Sequence, residues 1–252
     1  DVLPEHITGL IDGVPSHSQF ARHLVESGCR VVIPTLISRQ PNENHISKRE
    51  WLYRSAFELG RHLIGYELQK IFAVVDWFSA QSQDDSKIGI IGWGEGGMLA
   101  LYAGAIDTRI DAICVSGYFN SRQKIWKEPL ERNVFGLLTQ FGDAELASMI
   151  APRHLVIEAA NFPEVHVPSG TGGAAPADLV TPPLDQIETE VERAKSIVNK
   201  LNPKPQIKLI QTENNVYGTV ESLQSLLDLL SAQATVSLSE NRPEHLDGKF
   251  RP

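Results

Sequence analysis

The sequence predicts an α/β fold in which a mostly parallel sheet is covered by helices on both faces. Short runs rich in β-branched residues alternate with amphipathic stretches along most of the 252 residues. One run, Lys87–Trp93, is continuously apolar, which is typical of a parallel strand buried on both faces. Strands and helices that alternate at this spacing indicate parallel pairing through helical crossovers.

The elements of the first half are assigned from apolar periodicity and from residues that end helices. The first helix ends at Gly28, the glycine expected after a helix C-terminus. The long second helix has Gly60 and Gly65 as the two places where it can break. In chain order the predicted elements are helix Ser18–Ser27, strand Arg30–Pro34, helix Glu50–Phe78, strand Lys87–Trp93, helix Gly96–Ala105 and strand Ala112–Ser116.

In the second half, Asp143 is the predicted N-cap of a short helix. The predicted elements are helix Asp143–Met149, strand His154–Ile157, helix Leu184–Leu201, strand Gln206–Gln211 and helix Val220–Ser231. We assign residues 1–235 to a single domain and 236–252 to a linker or tail leading out of it. Because the opening residues resemble the end of a strand, we expect the first strands, and the remainder of a longer chain, upstream of residue 1.

Composition argues against several classes of partner. A formal charge of −8 and the lack of any Lys/Arg cluster argue against nucleic acid. No apolar run is long enough to cross a bilayer, so no membrane partner is expected. Cys29 and Cys114 lie in apolar runs and are predicted to be buried free thiols. There is no secretory signal, but the abrupt start of the chain leaves the compartment open.

The most informative segment is Ile88–Ala103, where a buried strand runs through a glycine-dense turn into a small-residue helix. Hydrolases that place a nucleophilic serine on such a strained turn carry the motif G-x-S-x-G. Here the motif is Gly92-Trp93-Gly94-Glu95-Gly96, so Gly94 stands at the serine position. A dinucleotide or phosphate loop is the alternative. The internal strand, the missing P-loop lysine and the missing acidic residue about 20 positions later all disfavour it.

The chain from Arg54 to Glu158 resembles the dienelactone-hydrolase and acetyl-xylan-esterase-like branch of the α/β-hydrolases. The segments that carry the resemblance are RSAFELGRHLIGYELQKIFAVVDWF, IGIIGWGEGGMLALYAGAIDTRIDAICVSGYF and DAELASMIAPRHLVIE. The resemblance implies the α/β-hydrolase fold. For active members it also implies a catalytic triad in the chain order nucleophile, acid, histidine.

The acid and histidine positions are altered or uncertain as well. After the next-to-last strand, the acid candidates are Glu158 at the strand end and Glu164 in the loop, although a solvated loop carboxylate explains either one. The histidine should follow the last strand, but the loop there carries Asn215 and Tyr217 and no histidine. Without a nucleophile and a base within reach of each other, the acyl-enzyme route has no first step.

Other residues are candidates for displaced catalytic or binding groups. His17 lies where the oxyanion-hole loop of this fold belongs, and Glu95 adjoins the vacant serine position as a candidate general base. A surface role for His17 and a helix-dipole interaction for Glu95 are the structural alternatives. Trp93, Tyr118 and Phe119 follow strand ends and either line a sugar or aromatic-acyl pocket or cap the core. No cluster has metal-ligand spacing, so neither metal nor cofactor is predicted.

Three hypotheses of function follow. In the first, this is an esterase-like domain without nucleophile or histidine that binds a small-molecule or carbohydrate ester, or acts as a scaffold. In the second, it is an active carboxylic-ester hydrolase of carbohydrate-esterase or dienelactone type, in which Glu95 or His17 activates water. In the third, an active hydrolase carries an engineered serine-to-glycine change at position 94. The missing histidine disfavours the third.

Overall fold

The computed structural model describes residues 2–81, 86–212, 216–230 and 235–236. The strands are β1 Ile88–Trp93, β2 Ile110–Ser116, β3 His154–Ala159, β4 Val165–Val167, β5 Ala177–Leu179 and β6 Ile207–Gln211. Four of them form a parallel sheet in the order β1–β2–β3–β6. Strands β4 and β5 pair antiparallel as a separate hairpin. The four strands predicted in the second and third quarters and near the end of the chain are therefore confirmed.

Eight α-helices are present in the described residues. They are α1 Pro4–Ile7, α2 Phe20–Glu26, α3 Lys48–Glu58, α4 Leu63–Gln81, α5 Glu95–Ile106, α6 Asp143–Ile150, α7 Leu184–Val198 and α8 Val220–Leu229. Short 3-10 turns lie at Ser16–Ser18, Arg122–Lys127, Leu130–Arg132 and Leu137–Thr139. The predicted long helix is two helices, α3 and α4, and the break falls at Gly60, which has a φ of +68°. Gly65 lies inside α4.

The sheet buries side chains on both of its faces. Ile113 and Ile157 belong to the apolar cluster that α4, α5, α6 and α7 cover, whereas Cys114 and Val156 belong to the cluster that α8 covers. This alternation follows the two-residue period of a strand. Helices α1 and α2 add a smaller cluster on the α8 side. The arrangement confirms the predicted parallel sheet with helices on both faces.

The predicted strand Arg30–Pro34 is not part of the sheet. Cys29, Val31 and Ile33 pack in the same apolar cluster as Ile91 of β1. However, no backbone–backbone hydrogen bond joins residues 30–36 to any described residue. Strand β1 is consequently an edge strand among the described residues and is only partly buried, although its apolar run predicted burial on both faces. The β-branched pattern predicted a strand over 30–34, but pairing depends on a neighbour that the pattern does not specify.

The start of α6 also differs from the prediction. The N-cap is Gly142, whose N–H donates to the Glu145 carboxylate at 2.8 Å. Asp143 is instead the first helical residue and is fully buried, and it accepts a hydrogen bond from the Asn120 N–H at 3.1 Å. The Asp143 carboxylate therefore does not cap α6, and the Ala144 N–H of the first turn donates to Glu190 at 2.9 Å.

The sequence predicted buried free thiols and no membrane-spanning segment. Cys29 is half-buried and Cys114 is buried, and both are free thiols. Among the helices that the structure describes, none is both long enough and apolar enough to span a bilayer.

Candidate functional site

The predicted elbow is present at the carboxyl end of β1. Gly94 joins β1 to α5 with φ +56° and ψ −113°, a conformation that residues other than glycine rarely adopt. Its N–H donates to the Ser116 carbonyl of β2 at 2.9 Å, and its carbonyl accepts from the Met98 N–H at 3.1 Å. The unusual backbone angles expected from the glycine spacing are therefore confirmed.

Close backbone approach explains two of the surrounding glycines. A Cβ at Gly92 would lie 2.0 Å from the Gly96 carbonyl oxygen, and a Cβ at Gly97 would lie 2.7 Å from the Ser116 carbonyl oxygen. A Cβ at Gly96 would meet nothing within 4 Å, so the packing requirement falls on Gly97. A Cβ at Gly94 would make ordinary contacts, with the closest atom of Phe162 at 3.5 Å. The elbow therefore has room for a side chain at the serine position.

A cleft of about 350 Å³ lies next to the elbow. Its lining is mostly apolar and comes from four parts of the chain: Pro15, His17, Ser18, Trp93, Asn161, Phe162, Pro163, Val216 and Tyr217. Of the candidate site residues, the structure brings together His17, Trp93 and Tyr217 here. His17 is exposed on the 3-10 turn that precedes α2. The cleft is the candidate functional site.

Tyr217 occupies the loop after β6, where the resemblance places a histidine. Its ring stacks on the indole of Trp93 with centroids 3.8 Å apart and an interplanar angle of 14°. The Trp93 indole N–H donates to the Asn161 carbonyl at 2.6 Å, which fixes the indole against the loop after β3. Burial raises the pKa of Tyr217 above its usual value. The other candidate in this loop, Asn215, lies outside the described residues.

Glu158, at the acid position, is occupied by structural hydrogen bonds. It is buried at the end of β3, and its carboxylate accepts from the N–H groups of Gly218 (2.8 Å) and Thr219 (2.9 Å). The hydroxyls of Ser116, Thr219 and Ser222 donate to it as well. Glu158 therefore ties β3 to the start of α8. Its oxygens already accept five hydrogen bonds from the protein, which accounts for its burial without a catalytic partner.

Glu95 is held by three arginines. Its carboxylate accepts from Arg39 at 2.9 Å, from Arg49 at 3.1 Å and from Arg132. Burial alone would raise the pKa of Glu95, but the charges of Arg132, Arg49 and Arg39 outweigh burial and hold the pKa far below its ordinary value. A carboxylate with so low a pKa is a poor general base near neutral pH. The ion pairs thus give Glu95 a structural role, besides the two roles that the sequence offered, a general base and a helix-dipole interaction.

The ion pairs around Glu95 extend into a larger buried group with equal numbers of both charges. Its members are Arg39, Arg49, Arg122, Arg132, Glu67, Glu95, Glu128 and Glu131. Buried charges are tolerated when they are paired and hydrogen-bonded in this way. We call these eight residues the arginine–glutamate network. Sequence reasoning missed the network, because its members come from separate elements with no common motif.

The remaining candidates lie away from the elbow cleft. Glu164 is exposed, accepts from the Thr181 N–H at 3.1 Å, and lines a second cleft of about 420 Å³ together with Arg39, Glu50 and Glu131. Tyr118 and Phe119 do not line either cleft. Both are buried in the main apolar core. Their position therefore fits the alternative in which they cap the core instead of lining a pocket.

In the described part of the chain, no group of three or more histidine, cysteine or carboxylate side chains is arranged to hold a metal ion.

A nucleophile-type elbow at the carboxyl edge of a parallel sheet defines the class of protein as an α/β-hydrolase-type domain. Residues 5–139, more than half of the chain, match the dienelactone hydrolase family. The chain belongs to this family.

Esterases are among the solved structures that this chain is similar to. A glucuronoyl esterase catalytic domain from Hypocrea jecorina is 16% identical, with 70% of this chain and 54% of that chain covered and a TM-score of 0.47. A carbohydrate esterase family 15 glucuronoyl esterase from Caldicellulosiruptor kristjansonii is 15% identical, with 68% and 50% covered and a TM-score of 0.43. A candidate acetyl xylan esterase from Bacteroides fragilis is 17% identical, with 65% and 40% covered and a TM-score of 0.45.

This chain thus matches only 40% to 54% of the length of those three structures. No curated protein matches the chain.

Proposed function

We propose that this chain is a non-catalytic, esterase-like domain that binds a small-molecule ester in the elbow cleft. The observation that carries the proposal is the absence of a nucleophilic side chain and of a nearby base at the elbow. Gly94 holds the backbone conformation of a nucleophile position without a nucleophile, and Tyr217 stands in the loop where a base would be required. Acyl transfer by the usual route needs both groups within hydrogen-bond reach of each other.

The positions around the elbow support binding over catalysis. The carboxylate of Glu158 accepts hydrogen bonds from the start of α8, and the carboxylate of Glu95 is paired with the arginines of the arginine–glutamate network. The only histidine that follows β6 in the sequence is His245, which lies outside the described residues. The cleft beside the elbow is lined by side chains from four parts of the chain.

One observation favours a second candidate, an active ester hydrolase with a displaced base. His17 lines the same cleft as Trp93 and Phe162, so an ester bound there has an imidazole at the cleft wall. In this candidate the imidazole activates water directly, with no acyl-enzyme intermediate.

Turnover of nitrophenyl acetate by the native chain and by His17→Ala separates the two candidates. We expect both proteins to hydrolyse the ester no faster than buffer does. Hydrolysis well above the buffer rate that disappears in His17→Ala, while circular dichroism shows an unchanged fold, would overturn the non-catalytic proposal.

A further inference from the structure

The side chains of the elbow cleft are unusual for a site that would hold a sugar or a carboxylate. Within the lining residues that the structure describes, there is no Asp, Glu, Lys or Arg. The larger cleft contrasts with it, because Arg39, Glu50, Glu131 and Glu164 line its walls. Charged and multiply hydroxylated ligands need several polar partners, since each desolvated polar group without one costs free energy.

Two hydrogen-bond donors of the elbow cleft already donate to acceptors within the protein. The indole N–H of Trp93 is donated to the Asn161 carbonyl at 2.6 Å. The Ser18 hydroxyl is buried and donates to the Tyr217 carbonyl at 3.2 Å. A polyol would have to compete with these bonds, whereas a flat apolar ring would not.

The remaining surface suits an aromatic group. Trp93 and Tyr217 form a nearly parallel stack, and Phe162, Pro163 and Val216 supply apolar contacts around it. A Cβ at Gly94 would lie 3.5 Å from Phe162 and 3.6 Å from Pro163, so the vacant serine position adjoins this apolar part of the lining. Ring–ring contacts of this kind add to the free energy of burial.

Resting on the proposed binding function, we infer that the elbow cleft selects a neutral aromatic ester rather than a carboxylate-bearing or carbohydrate ester. The ring lies against the Trp93–Tyr217 stack and the ester group lies towards His17 and the elbow. The three arginines around Glu95, the residue that follows Gly94, are paired with its carboxylate, so they do not offer a site for a ligand carboxylate.

Three probes test the selection: methyl naphthoate, naphthoate and xylose tetraacetate. The first two share a ring and differ in charge, and the third is an ester without an aromatic ring. Binding is followed through the Trp93 indole N–H and Gly94 amide resonances. We expect methyl naphthoate to shift both resonances and to bind roughly tenfold more tightly than either other probe. Tighter binding of naphthoate or xylose tetraacetate at these resonances would overturn the selection but keep the proposed binding function.

A pair of lysine substitutions, one in the cleft lining and one outside it, tests whether the probes bind in the elbow cleft. Val216→Lys should strengthen naphthoate binding roughly fivefold and weaken methyl naphthoate binding, because a partly exposed ammonium then faces the ligand. Val220→Lys, at the exposed start of α8 and outside the cleft, should change neither. Equal effects of the two variants would contradict the assigned site. If none of the probes moves the Trp93 and Gly94 resonances, both the selection and the proposed binding function fail.

Discussion

At the residue scale, Gly94 keeps the backbone conformation of a nucleophile elbow but has no nucleophilic side chain. The backbone turns through φ +56° at Gly94, where Gly92 lies against the Gly96 carbonyl and Gly97 lies against the Ser116 carbonyl of β2. Neither approach involves a side chain at position 94. The conformation is therefore maintained by packing. A side chain at position 94 would carry a backbone strain of about 1–3 kcal/mol, but its Cβ would meet no steric clash.

This combination predicts the outcome of a repair experiment. Gly94→Ser alone should leave ester hydrolysis near the buffer rate, because a serine hydroxyl at its free pKa is a weak nucleophile without a base. Adding Tyr217→His should raise the rate more than either single change, as measured with nitrophenyl acetate.

An oxyanion hole alone can leave a residual rate of roughly 10³–10⁴ over water, so the assay must resolve small gains. Gly94→Ala is the control for the added Cβ. Strong activity in Gly94→Ser by itself would mean that a base is already in place, with His17 the first residue to test.

Glu95 gives the second prediction at this scale. Glu95→Gln should lower the free energy of unfolding by about 3 kcal/mol in urea titrations, because Arg39, Arg49 and Arg132 lose their shared carboxylate. Glu192→Gln removes an exposed carboxylate paired with Lys195 and should cost about 0.5 kcal/mol or less. Similar losses in both variants would argue against the structural role of Glu95.

The Glu95 effect should also depend on pH. Because the folded-state pKa of Glu95 lies below the ordinary value of 4.5, its contribution is present above pH 4.5 and is lost as the pH falls below it. The difference in stability between the native chain and Glu95→Gln should therefore shrink on acidification.

At the element scale, α6 begins on a carboxyl group that titrates near neutral pH. Burial raises the pKa of Asp143 to about 7 from an ordinary value of 3.8, and the Asn120 N–H and the Tyr118 hydroxyl are its hydrogen-bond partners. A carboxyl with a raised folded-state pKa contributes stability that is full below pH 3.8 and is lost as the pH rises through about 7.

Asp143→Asn should remove this pH dependence. The variant should be more stable than the native chain at pH 8 by about 2 kcal/mol and closer to it at pH 5, as measured by urea unfolding. Glu145→Gln, in the same helix turn, is the control for loss of a carboxylate with a lowered pKa. A native chain whose stability does not fall between pH 5 and 8 would contradict the raised pKa.

The sequence predicted those elements whose signal lies within a few neighbouring residues. Glycine spacing located the elbow, and apolar runs located β1, β2, β3 and β6, because both signals lie within a few consecutive residues. The partners of Glu95 were not predictable, since Arg39, Arg49 and Arg132 stand 56, 46 and 37 positions away from it. The same holds for the stacking of Tyr217 on Trp93, which depends on how the loop after β6 meets the elbow.

At the scale of the whole molecule, helix coverage on both faces was predictable, but strand neighbours were not. The segment 30–34 has the sequence of a strand and packs against the same apolar cluster as Ile91 of β1, but it does not pair with β1. Alternation in a sequence predicts which face of a strand is apolar, and it contains no information on which strand lies alongside.

Hydrogen exchange should detect the difference between the strands. Averaged over each strand, the amides of β1 should exchange on the order of tenfold faster than those of β2, because one side of β1 lacks a strand partner among the described residues. Ile90 and Ile113, which are register partners, offer a direct comparison. Equal protection throughout β1 and β2 would contradict the edge position of β1.

In the part of the chain that the structure describes, one side of β1 has no strand partner, and this has a consequence for molecules in solution. Unpaired N–H and C=O groups along an edge are a template onto which another extended chain can add. Natural edges often carry lysine, proline or a bulge that opposes such addition. The residues of β1, IGIIGW, include neither lysine nor proline, and the register of β1 against β2 shifts only at its start, between Ile88 and Gly89. We therefore expect β1 to set the concentration at which molecules of this chain begin to associate, so that solubility depends on which strand ends the sheet.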